Sequence, residues 1–469
     1  MQYVVFLLNA AFLLHTKVEA KTIGYFWHLT DIHWDPNYNT KDHNCLRVGS
    51  SGPRGKYGEH SCDSPWSLVQ SAAEAMANKQ RDDIEFILWT GDSLTNSRNI
   101  NKMAALTNLT HLLSQVFTSH FVFPVLGHDD PEVSVTQENP YQNLSELWKL
   151  WLPSEALATF VKGGYYTIER RQRKLRLVAL NTNLCTGSVP ELDPAGQWAW
   201  LEKVLAKSKL RGETVYLAGH IAPGVDERVG SPPKPSMSSY HNTKFLSLIR
   251  KYADIITGQF FGHLHSDTFR LVYSELGFPI SRLFLAPSVT PRRSSAGLNN
   301  PAIRLYKIEI DTGQVLDYSQ FYLDLPAANA APTAAPTADP DENVDASDVE
   351  WVVLYNLTDY YGFRHGSPEE FHELAESFTV PEGLTLFMRY LQANSVYSSS
   401  PQTNVAGAHS HYCAVTRLDY LEYQNCLATA AAPLAATTAA APNNTATSAP
   451  IVHHTSIMTG SVLFVLAIR

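Results

Sequence analysis

The sequence predicts an α/β protein, and three observations support that prediction. The chain has 469 residues, of which 44% are hydrophobic and 17% charged, enough to bury a large core. Short apolar runs of strand length alternate with segments whose apolar residues have helical spacing. Polar clusters follow the apolar runs, as they do in α/β sheets that bind ligands at their strand ends.

Six apolar runs have the length and composition of buried strands. Because the carboxyl ends of neighbouring parallel strands meet at one edge of a sheet, we expect the polar clusters behind them to lie close together. Helical patterns at Pro65–Lys79 and Ala195–Lys207 lie between strands, and Ser64 is a candidate cap for the first. The six predicted strands are Thr22–Leu29, Ile84–Trp89, Phe121–Leu126, Leu175–Leu180, Thr214–Ala218 and Ile255–Phe261.

The composition argues against several classes of protein. The hydrophobic fraction is too high for a disordered chain, and no internal segment is apolar over the ~20 residues that a membrane helix needs. The net charge is −9 without clusters of Lys and Arg, so we expect no binding of a nucleic-acid duplex. We expect the protein to be a monomer.

Both ends of the chain predict a protein outside the cell. Residues 1–20 contain the apolar run Val4–Leu14 and end in small residues, which is typical of a signal peptide cleaved after Ala20. Residues 428–469 are an Ala/Thr/Pro-rich stalk followed by the apolar end Ile457–Ile468, the pattern of a signal for a GPI anchor in the outer plasma membrane. A secreted protein with an unanchored tail fits the same residues.

Cysteines and glycosylation motifs agree with that compartment. Two local disulfides are predicted, Cys45 with Cys62 and Cys413 with Cys426, which leaves Cys185 as a buried free thiol. Asn-x-Ser/Thr motifs predict N-linked glycans at Asn108, Asn143, Asn356 and Asn443.

Composition also divides the chain into regions. A main body of residues 21–325 precedes a stretch at 326–347 that is Ala/Pro/Thr-rich and then acidic, as in a linker or a surface insertion. Residues 348–427 contain two helical patterns, Pro368–Ser377 and Leu384–Ser395, and predict a small helical C-terminal subdomain.

The polar clusters contain residue types that bind transition metals. Carboxylate and imidazole ligands together suit Zn²⁺, Mn²⁺ or Fe better than Ca²⁺, and two of the clusters pair ligands two residues apart, on one face of an extended segment. Six ligands are too many for one tetrahedral ion but suit two ions about 3.5–4 Å apart that share a carboxylate. The six candidates are Asp31, His33, Asp92, His220, His263 and His265.

Two such ions support hydrolysis of phosphate esters. They can hold a bridging hydroxide in line with phosphorus and stabilise both the attacking and the leaving oxygen. No Gly-x-Ser-x-Gly, Walker A or His-Glu-x-x-His motif is present, so the sequence does not indicate the chemistries that those motifs carry.

Longer stretches match a known family. They are Phe26–Pro36, Cys62–Trp66, Phe86–Asp92, Leu180–Asn183, Gln259–His265, Asp267–Phe269 and Asn299–Arg304. In their order they resemble the calcineurin-like metallophosphoesterases, and more closely the acid sphingomyelinase-like phosphodiesterases. The resemblance runs from about Ile23 to Leu427. It implies a four-layer metallophosphoesterase β-sandwich flanked by helices over residues 21–325, two Zn²⁺ ions, and a secreted or lipid-anchored hydrolase of phosphoric esters.

The same resemblance assigns ligands to the two zinc ions, with Asp92 as the bridge. The second ion takes Asp92, His220, His263 and the residue at the asparagine of a Gly-Asn-His-Asp motif. The first ion takes Asp31, His33, Asp92 and His265.

Two departures from the family pattern put the chemistry in question. The motif here is Gly127-His128-Asp129-Asp130, so His128 either takes the asparagine position as a ligand, with Asp129 at the histidine position, or is the catalytic histidine after a deletion. Asn96 stands where the family commonly has a second phosphate-contacting histidine. Imidazole general acids are worth about 10²–10⁴-fold in rate.

Two functions therefore stay open at this stage. One is a phosphodiesterase acting on nucleotide phosphates or phospholipid headgroups, and the alternative is a catalytically impaired zinc-binding protein at the cell surface. Lipid-cleaving relatives carry a saposin-like domain that we do not expect between the signal peptide and the first strand, which favours small soluble phosphoesters such as nucleotides. Candidates for lining the substrate pocket are Tyr165, Tyr166, Tyr240 and His241.

Overall fold

The structure is a computed structural model that describes residues 22–39, 54–80, 82–131, 139–170, 173–186, 191–228, 235–292, 297–330, 349–398 and 405–439. The predictions for the signal peptide, for Cys45 and Asn443, for the tail beyond Ala439 and for most of the linker lie outside these residues. None of the described helices has the length and apolar character needed to span a membrane.

Two six-stranded sheets form the centre of the fold. In chain order the described strands are β1 (Ile23–Leu29), β2 (Ile84–Trp89), β3 (Val122–Pro124), β4 (Tyr166–Arg170), β5 (Leu175–Ala179), β6 (Thr214–Ala218), β7 (Ile256–Phe261), β8 (Thr268–Tyr273), β9 (Pro279–Leu285), β10 (Ala302–Glu309), β11 (Gln314–Tyr322) and β12 (Val352–Asn356). The first sheet has the order β12-β11-β10-β1-β2-β3 and the second the order β4-β5-β6-β7-β9-β8.

Each sheet has a parallel centre. β1, β2 and β3 run parallel in the first sheet, and β5, β6 and β7 run parallel in the second. The sheets face each other through aromatic rings, because Phe26 of β1 packs on Tyr216 of β6 and Phe260 of β7 at centroid distances of 5.9 and 5.1 Å. All six predicted strands are therefore confirmed, with ends that shift by at most two residues.

Helices flank the sheets. They are α1 (Trp66–Lys79), α2 (Lys102–Val116), α3 (Gln142–Trp148), α4 (Ser154–Gly163), α5 (Gln197–Arg211), α6 (Ser239–Tyr252), α7 (Leu325–Ala330), α8 (Leu357–Tyr361), α9 (Pro368–Ser377), α10 (Leu384–Asn394), α11 (Val405–Thr416) and α12 (Tyr420–Ala439). The prediction that Ser64 caps α1 is wrong, since Pro65 is the N-cap residue. The Ser64 backbone pairs with the segment around Trp34 instead, and its hydroxyl has no hydrogen-bond partner within the described residues.

The helical C-terminal region is confirmed but is built into the body of the protein. β12 pairs antiparallel with β11 at the edge of the first sheet, while α9 packs on β9 and α11 on β8. The chain up to Leu427 accordingly forms one compact unit. α12 continues past Leu427 to Ala439, into the predicted stalk.

One predicted disulfide is present and joins α11 to α12, between Cys413 and Cys426. Cys185 is a buried free thiol, as predicted. Cys62 is buried, and its predicted pairing with Cys45 stays a prediction because Cys45 lies outside the described residues.

The glycosylation predictions also stay predictions. Asn108 and Asn143 are exposed on α2 and α3. Asn356 is half-buried, and its side-chain oxygen accepts a hydrogen bond from the Ser319 hydroxyl at 2.7 Å.

Candidate metal centre

Ligand-type residues from both sheets meet at one edge of the sandwich, where the parallel strands end. They include two groups in which the ligand atoms of all members lie within 4.8 Å of one another, and Asp129 forms a third, overlapping group with His33 and Asp92. The first ligand group is Asp31, His33 and His265, and the second ligand group is Asp92, His128, His220 and His263. The structure thus brings together every residue for which the sequence predicted metal binding.

Asp92 connects the two groups. Its buried Oδ2 atom lies 3.6 Å from Nε2 of His33 in the first group. The same oxygen lies 2.9 Å from Nδ1 of His128 and 3.1 Å from Nε2 of His220 in the second group. Its other oxygen, Oδ1, accepts a hydrogen bond from the Asp129 backbone at 2.8 Å. One carboxylate is therefore placed to serve both groups.

His128 faces the second ligand group. Its ring centroid lies 5.0 Å from that of His263 and 5.4 Å from that of His220. Asp130 holds the turn that carries His128, because its buried carboxylate accepts hydrogen bonds from the backbone amides of Ser93 at 2.9 Å and Gly127 at 2.7 Å.

Hydrogen bonds behind the cluster orient two of the imidazole rings. Nδ1 of His220 lies 2.8 Å from the backbone oxygen of Thr90, and Nδ1 of His265 lies 2.7 Å from that of Arg292. A carbonyl can only accept, so Nδ1 carries a proton in both rings and Nε2 is the nitrogen left to bind a metal ion. In both rings Nε2 is the atom that faces the cluster.

Buried polar atoms of the cluster are not fully paired within the described residues. Nδ1 of His263 is buried and forms no hydrogen bond within the described residues, although buried polar groups are normally paired. The buried Oδ2 of Asp92 has imidazole nitrogens of His128 and His220 beside it. Nε2 of His33 and Nε2 of His265 lie 3.1 Å apart, a distance at which two lone pairs need a cation or a proton between them. A pair of divalent cations bound here would be partners for these atoms.

The charge states of the cluster also suit cations. Burial acts to raise the pKa of the Asp92 carboxyl, but the charge of His220 and the close ring of His128 outweigh it and hold that pKa well below its ordinary value. Burial, together with the charges of His220 and His128, lowers the pKa of His263 to about 3. Burial acts to lower the pKa of His220, but the charge of Asp92 outweighs it and raises that pKa to about 10. A metal ion that binds beside Asp92 would therefore displace a proton from His220.

The backbone of the cluster is strained. Left-handed φ angles are rare for residues other than Gly and cost about 1 kcal/mol or more each. The prediction that the paired ligands lie in extended segments is therefore wrong, because the turns after β1 and β7 carry them. In addition, His263 and His265 belong to different ligand groups. The φ angles are 49° at Asp31, 43° at His33, 48° at Asp92, 70° at His263 and 52° at His265.

Comparison with known proteins identifies the family. Residues 24–267 match the model of the calcineurin-like phosphoesterases, and residues 278–433 match that of the acid sphingomyelin phosphodiesterase C-terminal region. The human acid sphingomyelinase-like phosphodiesterase 3b is 34% identical over 429 residues, which cover 86% of this chain and 90% of the human protein. The chain belongs to the acid sphingomyelinase-like phosphodiesterase family.

Other members of the family are similarly related to the chain. The human protein named cyclic GMP-AMP phosphodiesterase SMPDL3A is 34% identical over 429 residues, covering 86% of this chain and 90% of that protein. The sphingomyelinase phosphodiesterase C of Dictyostelium discoideum is 32% identical over 384 residues, covering 75% and 81%. The resemblance predicted from the sequence is confirmed, and so is the fold that it implied.

This member of the acid sphingomyelinase-like family has a cleft of about 620 Å³ over the cluster. Asn96 and Asp129, which the sequence singled out, both line it. Oδ2 of Asp129 lies 3.6 Å from Nδ1 of His33 and 3.9 Å from Nε2 of His128. Burial raises the pKa of the Asp129 carboxyl, and the charge of Asp92 adds to that effect.

The four pocket residues predicted from the sequence do not line this cleft. The hydroxyls of Tyr165 and Tyr166 donate to the backbone oxygens of Ala195 and Pro124, so both rings are packing residues. The ring of His241 accepts a hydrogen bond from Trp198. Tyr240, on the same helix as His241, is also absent from the described cleft wall.

Sequence reasoning missed residues that act behind the ligands. Thr90 and Arg292 orient His220 and His265 through backbone oxygens, and any residue type could supply such an oxygen. Asp130 does have a sequence signal, since it is the last residue of the Gly-His-Asp-Asp motif, but its role as the anchor of that turn came only from the structure.

Proposed function

We propose that this protein is a dinuclear-zinc phosphodiesterase that hydrolyses phosphoric esters. The observation that carries the proposal is the position of Asp92, whose Oδ2 atom faces ligand nitrogens of both groups. When bound, two zinc ions would polarise the phosphoryl group and supply a hydroxide at neutral pH. The residues of this chain hold those ions and position the ester above them.

The two ligand groups would each hold one ion, with Asp92 shared. Asp31, His33 and His265 would hold the first ion, and His128, His220 and His263 the second. This proposal places His128 at the asparagine position of the family motif, and Asp129 at the position of the histidine. The inward-facing ring of His128 and the anchoring of the turn by Asp130 support it.

This arrangement would alter the chemistry of ester cleavage. Nδ1 of His128 is turned toward Asp92, and Asn96 has a neutral amide. The imidazoles of the family pattern that would protonate a leaving oxygen are therefore replaced in this chain. Esters whose leaving group departs as a stable anion need no such proton. We therefore expect turnover of activated diesters such as nitrophenyl esters, and slow turnover of alkyl diesters.

The same observations favour the second candidate, a zinc-binding protein at the cell surface with little or no activity. The site would then capture phosphoesters without cleaving them. The substrates proposed for either function are nucleotide phosphates or phospholipid headgroups, as the names of the relatives suggest. The Cys413–Cys426 disulfide supports export of the protein, because disulfides persist in oxidising compartments.

Metal content measured beside turnover separates the two candidates. The natural, glycosylated protein would be purified without an affinity tag, analysed for zinc, and assayed with bis(4-nitrophenyl) phosphate. Two zinc ions with turnover support the phosphodiesterase, and two zinc ions without turnover support the binding protein. Folded protein that takes up no transition metal would contradict both. Asp92→Asn is the matched variant, since it keeps the shape of the bridge and removes its charge.

A further inference from the structure

Two arginines line the cleft, and they differ in how much of the guanidinium is free. Arg228 has only 8% of its side chain exposed. Its Nε and Nη2 atoms each donate to Asp226 at 2.8 Å, and its Nη1 atom donates to Ser266 at 2.5 Å. Arg292 has 52% of its side chain exposed. Its Nη1 atom contacts the carboxylate of Asp63 at 3.1 and 3.2 Å, and within the described residues its Nε and Nη2 side-chain donors have no partner.

Asp63 fixes where the Arg292 side chain sits. Its carboxylate is buried, and Oδ2 also accepts a hydrogen bond from the Thr95 hydroxyl at 2.6 Å. Thr95 directly precedes Asn96, which lines the cleft. The carboxylate therefore ties the Arg292 guanidinium to the wall that carries Asn96.

The backbone of Arg292 adjoins the first ligand group. Its carbonyl oxygen accepts the hydrogen bond from Nδ1 of His265. Arg292 thus contacts His265 through its backbone and Asp63 through its side chain. Its half-exposed side chain lines the cleft over the cluster.

The chemistry of that position suits a phosphate. Negative charge accumulates on the non-bridging oxygens as phosphorus is attacked, and a guanidinium edge offers two parallel donors that match two such oxygens. We propose that Arg292 is a phosphate-binding residue of this site, with Nε and Nη2 donating to two non-bridging oxygens while Asp63 holds Nη1. The inference rests on the proposed function and adds the cation that the neutral Asn96 does not supply.

The test uses the zinc-loaded protein and inorganic phosphate as the probe. Arg292→Gln removes the charge at similar length, and Arg292→Lys keeps the charge but loses the paired donors. We expect Arg292→Gln to weaken phosphate binding about tenfold or more by calorimetry, and Arg292→Lys by a smaller factor. Zinc content should not change. The control is Arg211→Gln on α5, whose half-exposed side chain pairs with Glu169 away from the cleft.

Phosphate affinity and turnover give separate answers. A wild-type protein that binds zinc and phosphate but does not cleave bis(4-nitrophenyl) phosphate would contradict the phosphodiesterase and still test Arg292. The inference is overturned if wild-type zinc protein binds no phosphate, or if Arg292→Gln binds it as tightly as wild type. If Arg292→Gln loses zinc, Arg292→Lys decides, and unchanged affinity in that variant overturns the inference as well.

Discussion

Nδ1 of His128 lies 2.9 Å from Oδ2 of Asp92, on the carboxylate oxygen that also faces His220. The contact turns the His128 ring into the second ligand group. A nitrogen engaged there cannot also protonate a leaving oxygen. The proposed role of His128 as a ligand, with Asp129 beside it in the cleft wall, therefore decides the chemistry expected of the site.

The triple variant Asn96→His, His128→Asn and Asp129→His should raise turnover. It restores the imidazoles of the family pattern, and general acid catalysis by such a group is worth about 10²–10⁴-fold. The gain should be largest for an alkyl phosphodiester, which needs its leaving oxygen protonated, and small for a nitrophenyl diester. Steady-state rates on both substrates measure it. No change in either rate, with zinc content unaltered, would count against the roles assigned to these three residues.

Removing the metal should destabilise the fold as well as abolish activity. Five of the proposed ligand residues have left-handed φ angles, and Nδ1 of His263 is buried without a partner within the described residues, so bound cations would offset these costs. At a zinc concentration of 100 times Kd, one site stabilises a protein by about 2.7 kcal/mol.

The measurement is the melting temperature after chelation, followed by zinc titration. Wild-type protein should recover its melting temperature as zinc is added. The Asp92→Asn variant, which lacks the charge shared by both ligand groups, should recover far less. Equal recovery by the two proteins would show that Asp92 does not bridge.

Much of this site could be predicted from the sequence because its ligands directly follow buried strands. The bounds of β2 and β6 agree with the apolar runs to the residue, and the polar residues behind them converge as expected. The left-handed backbone at Asp31 and His263 could not be predicted, since local preference favours Gly there and the strain is imposed by the tertiary fold.

Other features depended on contacts that no local pattern contains. β12 is a short run after a low-complexity stretch, and only the open edge of β11 gives it a partner. Arg292 gains its place from a carboxylate more than two hundred residues earlier in the chain, at Asp63. Tyr166 and His241 were predicted to line the pocket, but both form hydrogen bonds inside the fold instead.

The buried ion pair of Arg304 with Asp267 should dominate the stability of the second half of the chain. Both side chains are buried, and Asp267 also accepts a hydrogen bond from the Tyr355 hydroxyl. Asp267→Asn leaves the guanidinium without a counter-ion, which typically costs about 3–5 kcal/mol.

Urea unfolding monitored by circular dichroism measures that loss. The control is Asp254→Asn, which breaks a pair with Lys209 in which both side chains are about half exposed. We expect the control to lose no more than about 1 kcal/mol. Similar losses in the two variants would show that burial of the Arg304 pair does not have the proposed effect.

The Cys413–Cys426 disulfide should stabilise the α11–α12 pair by restricting the unfolded chain. The two cysteines are 13 residues apart, and closing a loop of that size contributes about 3 kcal/mol. The double variant Cys413→Ser and Cys426→Ser should lose about that amount in urea unfolding. Cys185→Ala, which removes a thiol but no cross-link, should lose less. An equal loss in both would indicate that packing at the sulfur atoms matters more than the cross-link.

The central claim is that Asp92 bridges two metal ions and that His128 binds one of them. Anomalous scattering at the zinc absorption edge, from crystals of the zinc-loaded protein, tests it most directly. We predict two peaks about 3.5–4 Å apart on either side of Oδ2 of Asp92, with Nδ1 of His128 coordinating the peak next to His220. A single peak, or two peaks with the His128 ring turned away from both, would contradict the account.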